Sequence, residues 1–214
     1  MDTVVITGVS RGLGLITAEK FAEKGWHVIG TGRSERPATL PESITYYQCD
    51  VSNAEACASL WKKITAEQGA FCLVNNAGSY VSGNVADTSA SDYESQMASN
   101  YFASVYMTQG LLKTVPKAKI INIISTGALK PRAGQSAYGA SKAAVMHFFA
   151  SLRSELNPQD YQITNIYPSD IATHGVNERA IDPTDLAMLI IECAERTTSL
   201  AVTDITIYPN TMST

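Results

Sequence analysis

Tyr138 and Lys142 stand four residues apart in a helix-like stretch, so they share one face, a turn apart. A phenol ionises at about pH 10 in water, too high for easy proton exchange at neutral pH. A nearby ammonium favours the phenolate and lowers that value, which makes Tyr138 a general acid or base. Ser125 is expected at the end of an apolar strand, where a hydroxyl faces the crevice that collects ligands at the carboxyl end of a parallel sheet. Near the start of the chain, Thr7-Gly8-Val9-Ser10-Arg11-Gly12-Leu13-Gly14 runs out of a strand into a helix. Glycines there allow a tight turn and bring backbone N–H groups close to a pyrophosphate at a helix N-terminus. The dinucleotide fingerprint places an acidic residue at the end of the second strand, on the ribose 2′-hydroxyl. Here that strand ends Gly30-Thr31-Gly32-Arg33, with Gly32 in the acid's place. A guanidinium cannot accept from ribose hydroxyls but pairs with a 2′-phosphate. Arg33, with Arg11 in the glycine loop, therefore selects NADP(H).

Such groups need elements to hold them. Short β-rich runs alternate with helical patterns from end to end. The strands are expected at Thr3–Thr7, His27–Thr31, Ile44–Cys49, Phe71–Asn75, Lys119–Ser125, Tyr161–Tyr167 and Val202–Tyr208, and the helices near 12–24, 54–68, 91–114, 136–156 and 183–196. This alternation predicts an α/β fold, a parallel sheet with helices on both faces. The run Ile120, Ile121, Ile123, Ile124 fits a strand covered on both sides. Ser91 and Glu94 are expected to form a capping box, and Asp182 to cap a helix whose first residue is Pro183. With no repeat, low-complexity tract or linker, residues 1–214 read as one domain.

Taken together, the glycine spacing, Asn75-Asn76-Ala77-Gly78, Ser125 and Tyr138-Gly139-Ala140-Ser141-Lys142 resemble the short-chain dehydrogenase/reductase family, in order and over nearly the whole chain. The resemblance implies a doubly wound Rossmann-type sheet of strand order 3-2-1-4-5-6-7 and hydride transfer between NADP(H) and a carbonyl or alcohol. It implies that Ser125 holds the substrate oxygen, Tyr138 gives or takes its proton, and Lys142 binds the nicotinamide ribose and tunes Tyr138. Asn100, in Asn100-Tyr101-Phe102-Ala103, matches the fourth catalytic residue, which positions a water in a proton relay. Cofactor contacts are implied for Gly8, Ser10, Arg11, Gly12, Leu13, Gly14 and Arg33. Asp50 and Val51 fall at the adenine, Asn76, Ala77 and Gly78 beside the adenosine ribose, and Pro168, Ile171 and Thr173 near the nicotinamide.

The chain departs from the family where Pro168-Ser169 replaces Pro-Gly, and the stretch from Ser169 to Asp182 is short for a substrate lid. Lys130, Arg132 and His174 are expected near the entrance, as a solvated rim in the favoured reading and as a preference for an acidic group in the alternative. Gly139, Ala140, Ala143, Ala144 and His147 make a second, small-residue face on the Tyr138 helix, which in this family builds a homodimer or a larger assembly. Composition is that of a globular chain, 45% hydrophobic and 17% charged with a net charge of -4. No charge block suggests nucleic acid or a membrane surface, and no apolar run approaches the roughly 20 residues that span a bilayer. A strand begins almost at Met1, leaving no place for a signal peptide, so the expected address is the cytoplasm. Four scattered cysteines and three histidines argue against a metal site. A non-enzymatic NADP(H) sensor of the same fold is the alternative, and it would not require Ser125, Tyr138 and Lys142 together.

Overall fold

The computed structural model describes residues 1–64, 69–172, 179–197 and 200–210. Seven parallel strands form one sheet in the order β3-β2-β1-β4-β5-β6-β7. They are β1 (Thr3–Thr7), β2 (His27–Gly32), β3 (Thr45–Gln48), β4 (Phe71–Asn75), β5 (Ala118–Ile123), β6 (Tyr161–Pro168) and β7 (Asp204–Ile207). The helices are α1 (Gly12–Glu23), α2 (Ala54–Trp61), α3 (Ala90–Gln96), α4 (Ala103–Thr114), α5 (Ser136–Glu155) and α6 (Pro183–Glu195).

Strand alternation explains the two cores. Val4, Ile6, Val28, Val74 and Ile121 point to one face, against Phe21 of α1 and Leu186 and Ile190 of α6. Val5, Ile29, Leu73 and Ile120 point to the other, against Leu60 of α2, Met107 and Leu111 of α4 and Phe149 of α5. The central strand β1 is buried at every position, as a strand covered on both faces must be. A polar row also crosses the sheet. Asn75 Nδ2 donates to Asn122 Oδ1 and Asn122 Nδ2 to Asn165 Oδ1, each at 2.9 Å. Asn165 in turn bonds the carboxylate of Asp204 at 3.2 Å, so the buried amides hand bonds along the row, with Asn75 Oδ1 at its end the one amide oxygen of the row left without a partner among the described residues.

Several boundaries differ from the sequence expectation. The stretch 91–114 is two helices joined by a π-helical turn, Met97–Phe102. Its first cap is Ser89, whose hydroxyl accepts from the Asp92 amide while the Asp92 carboxylate accepts from the Ser89 amide. The box is therefore Ser89 with Asp92, because the helix starts at Ala90 and Ser91 already lies inside it. Helix α2 ends at Trp61 rather than 68, its last turn tightening as Lys63 N–H reaches the Leu60 carbonyl. Strand β5 closes at Ile123, and Ser125 instead caps a 3-10 turn, Thr126–Ala128. Asp182 caps α6 ahead of Pro183, as the sequence indicated. Among the described residues no helix is long and apolar enough to cross a membrane.

Candidate active site

At the carboxyl ends of the strands the chain leaves β1 and β4 toward opposite faces, and a crevice opens between them. It is a cleft of about 1060 Å³, and every catalytic or cofactor-binding residue expected from the sequence that the structure describes lines it, as does Arg132, while Lys130 does not. Thr173 and His174 lie outside the described residues.

One end is the glycine loop. Gly8 and Gly12 have φ of 76° and 59°, which L side chains rarely adopt. Gly8 and Val9 donate to the Thr31 carbonyl at 2.9 and 3.0 Å, so the end of β2 holds the turn. A Cβ at Gly14 would run into the Gly8 carbonyl, and α1 approaches the loop closely only because none is there. Arg11 caps α1 with no side-chain bond to the first-turn amides, which stay available to an anion. Beneath the loop, Thr7 Oγ1 accepts from the amides of Asn76 and Ala77 at 3.0 and 2.9 Å. Asn76 Nδ2 returns the bond to the Thr7 carbonyl at 2.8 Å, so its amide holds the loop itself.

Arg33 is exposed on the cleft wall just past β2, and it makes no ion pair with Glu35 among the described residues. Gly32 beside it is crowded. A Cβ there would meet Ser10 Oγ, and the Tyr46 hydroxyl at 2.6 Å, so no acidic side chain fits at this position without displacing both. Asp50 turns a carboxylate oxygen to the Ser52 amide at 3.0 Å and hydroxyl at 2.7 Å.

The other end holds the acid–base groups. Tyr138 sits in the first turn of α5, with Lys142 one turn on and its Nζ 5.9 Å from the Tyr138 ring centre. Ser125 and Tyr138 meet around Gly127, where a Cβ would lie 3.4 Å from both the Ser125 hydroxyl and the edge of the Tyr138 ring, and Ser125 Oγ accepts from the Gly127 amide at 3.0 Å. Burial pushes the phenol above its usual value, and the neighbouring Ser125 hydroxyl only partly opposes this. The sequence led us to expect a lowered phenol; in this geometry burial prevails, while the ammonium donates to the Ile123 carbonyl at 3.0 Å. Burial also brings Lys142 down to about 8.

Asn100 lies in the π-helical turn, buried. Its Nδ2 donates to Ser141 Oγ at 2.9 Å and to the Ser79 carbonyl at 3.1 Å, and its Oδ1 accepts from the Ser79 amide at 2.9 Å. Both ends of the amide are thus engaged by protein. Gly78 is the spacer here: a Cβ on it would lie 2.5 Å from Asn100 Oδ1 and 3.6 Å from Lys142 Nζ. Sequence reading missed Tyr80 and Gln135. The Tyr80 ring stands edge-on to Tyr138 with centres 4.9 Å apart, and Gln135 Nε2 donates to its hydroxyl at 3.2 Å. Both belong to loops, where no periodicity reports which way a side chain faces.

A family model described as short chain dehydrogenase matches residues 2–183. A 3-ketodihydrosphingosine reductase of Bacteroides thetaiotaomicron is 33% identical over 182 residues, covering 83% of this chain and 67% of that one. An NADP-dependent 3-hydroxy acid dehydrogenase of Escherichia coli K12 is 34% identical over 178 residues, covering 77% and 71%. The closed form of a serine dehydrogenase complexed with NADP+ superposes with a TM-score of 0.87 at 26% identity, covering 99% of this chain and 96% of that one.

The buried ammonium makes a pH prediction. Unfolded, Lys142 keeps its proton up to about its ordinary 10.5; folded, it releases it above about 8. The cost of burying the charge is therefore present in full below pH 8 and is relieved as pH rises to 10.5. At about 1.4 kcal/mol per unit, the relief is on the order of 3 kcal/mol. Urea unfolding should show Lys142→Met gaining on the wild type at pH 7 and losing that advantage by pH 10.5.

Proposed function

The chain belongs to the short-chain dehydrogenase/reductase family, and on that premise we propose that it is an NADP(H)-dependent oxidoreductase acting on a carbonyl or alcohol through Ser125, Tyr138 and Lys142. The observation that carries the reading is the juxtaposition of Ser125 and Tyr138 in one cleft with the glycine loop, with the Lys142 ammonium buried beside them. The loop fits a pyrophosphate, since its first-turn amides are uncapped and its glycines remove the Cβ atoms that would fill the cradle. NADP(H) suits Arg33 and Arg11, the two cations at that end of the cleft, and agrees with the relatives named for it.

In this reading Gly8, Ser10, Gly12, Leu13 and Gly14 hold the pyrophosphate side, and Asp50 and Val51 wall the adenine. Ala77, Gly78, Pro168 and Ile171 complete the wall toward the nicotinamide. NADP(H) supplies or accepts the hydride when bound. Ser125 takes the substrate oxygen as a hydrogen-bond partner and holds that oxygen within reach of the phenol. In the reducing direction Tyr138 hands its proton to the oxygen, and its raised value keeps that proton in place until the oxygen becomes basic. In the oxidising direction the phenolate takes the proton, and the buried positive charge of Lys142 stabilises that anion. Asn100 is a positioning residue, tying Ser79 to Ser141 on either side of Lys142.

We also place a homodimer interface, or the dimer within a larger assembly, on α4 and α5. Ala140 and His147 are exposed on α5, and the Phe102 and Tyr106 rings stack beside them on the neighbouring segment, with Phe102 40% exposed.

Tyr138→Phe should retain NADPH binding while turnover falls by about 10²-fold, the scale of losing an acid–base catalyst; near-normal turnover overturns the mechanism. Arg33→Ala should remove most of a preference for NADPH over NADH. A charge-assisted bond contributes about 1.5–3 kcal/mol, which at about 1.4 kcal/mol per decade is roughly 10- to 100-fold in Kd. Equal wild-type affinities for the two cofactors would exclude the Arg33 assignment. Sedimentation at micromolar concentration should show a dimer or larger species, and Ala144→Glu should dissociate it; a wild type that stays monomeric removes the interface.

A further inference from the structure

Four lysine and arginine side chains line the cleft: Arg11, Arg33, Arg132 and Lys142. Arg11 and Arg33 stand at the glycine-loop end, and Lys142 is buried behind Tyr138. Arg132 is left over, and it lies on the loop that leads from the Ser125 turn into α5.

That loop is braced from two sides. Its last turn closes with a bond from Gln135 N–H to the Arg132 carbonyl at 3.2 Å, and Gly83 N–H reaches the Gly134 carbonyl at 2.9 Å. The Gln135 side chain then meets the Tyr80 hydroxyl, and Tyr80 packs edge-on against the Tyr138 ring. Arg132 is thus carried by a segment tied to the proton-transferring residue. Lys130, on the same loop, is turned away over the Tyr208 ring at 5.8 Å and is absent from the cleft lining. Arg132 faces Asp170 across 3.9 Å, with side chains 40% and 79% exposed. An open pair of that length contributes little. It leaves the planar fork of the guanidinium open to a better acceptor, and a carboxylate matches it with two parallel bonds.

We propose that Arg132 is the substrate anchor, taking the carboxylate of a small hydroxy acid, or of the oxo acid formed from it, while the reacting oxygen sits between Ser125 and Tyr138. The assignment rests on the oxidoreductase reading above. Tyr80 and Gln135 fill the wall beside Tyr138 and confine the substrate to the span between the phenol and the guanidinium. The substrate carboxylate takes the place of Asp170 on Arg132, so Asp170 competes with the anion.

The test compares 3-hydroxybutyrate with its methyl ester on the NADP+-loaded protein, using wild type, Arg132→Gln and Asp170→Asn. Arg132→Gln should lower the acid-to-ester ratio of kcat/KM roughly 10- to 100-fold, the range for losing a hydrogen bond to a charged group, with the change carried by KM. Asp170→Asn should lower KM for the acid. An unchanged ratio in Arg132→Gln overturns the anchor. If the wild type oxidises neither compound, binding still decides. Butyrate, which has the carboxylate and no hydroxyl, is titrated against the fluorescence of protein-bound NADPH. Saturable binding that Arg132→Gln weakens at least tenfold supports the anchor independently of turnover, whereas the oxidoreductase reading stands or falls on the Tyr138→Phe comparison. Binding that is absent, or equal in the two proteins, overturns it.

Discussion

Strands β1 and β4 lie side by side, yet the chain departs from their ends in opposite directions, and that divergence would leave two loops over an open seam. Thr7 closes it. Its hydroxyl oxygen takes the amide protons of Asn76 and Ala77, and the Asn76 side chain donates back to the Thr7 carbonyl. Three backbone groups and one side-chain amide are satisfied within one small knot, where an orphaned buried group costs about 1–3 kcal/mol. The knot fixes the glycine loop above β1 and the Asn76-Ala77-Gly78 segment above β4 in one frame. The height of the α1 N-terminus, the floor under Lys142 and the spacing at Gly78 all follow from it.

A second constraint is finding partners for buried charge and amide groups. Lys142 is carried into the interior on α5 and meets a backbone carbonyl at the end of β5, so the protein keeps a cation where burial disfavours it. Asn100 reaches the same region only because the helix before α4 widens into a π turn, which rotates it inward toward Ser79 and Ser141. Across the sheet, Asn75, Asn122 and Asn165 hand hydrogen bonds from strand to strand. Their register is consistent with the strand pairing, since Asn75 lies opposite Asn122 and Asn122 opposite Asn165. A one-residue slip would break the row and turn every amide to the other face.

The two ends of the cleft are built differently. At the glycine loop, backbone groups and missing side chains define the site, and they tolerate little change. At the Tyr138 end, side chains of three loops define it: Tyr80, Gln135 and Arg132, with Asp170 opposite. A shared scaffold with variable loops is the usual way one fold serves many substrates, and the exposed Arg132–Asp170 pair is where this chain has most freedom to choose.

The sequence by itself determined the alternation of strands and helices, the sheet order once the family resemblance was recognised, and the glycine loop. It also placed Tyr138 and Lys142 on one helical face. All of these are local: periodicity, turn chemistry and i, i+4 spacing are properties of short segments. Thr7 as a partner of Asn76, Tyr80 packed on Tyr138, and the Ser10 and Tyr46 hydroxyls crowded over Gly32 join residues distant in sequence, and no window along the chain contains them. The start of α3 at Ser89, not Ser91, was decided by which serine met the Asp92 amide. The direction of the Tyr138 shift was likewise a tertiary matter. Sequence supplied the ammonium four residues away, but the depth of burial, and the Ile123 carbonyl that engages that ammonium, exist only once the sheet and α5 have packed together.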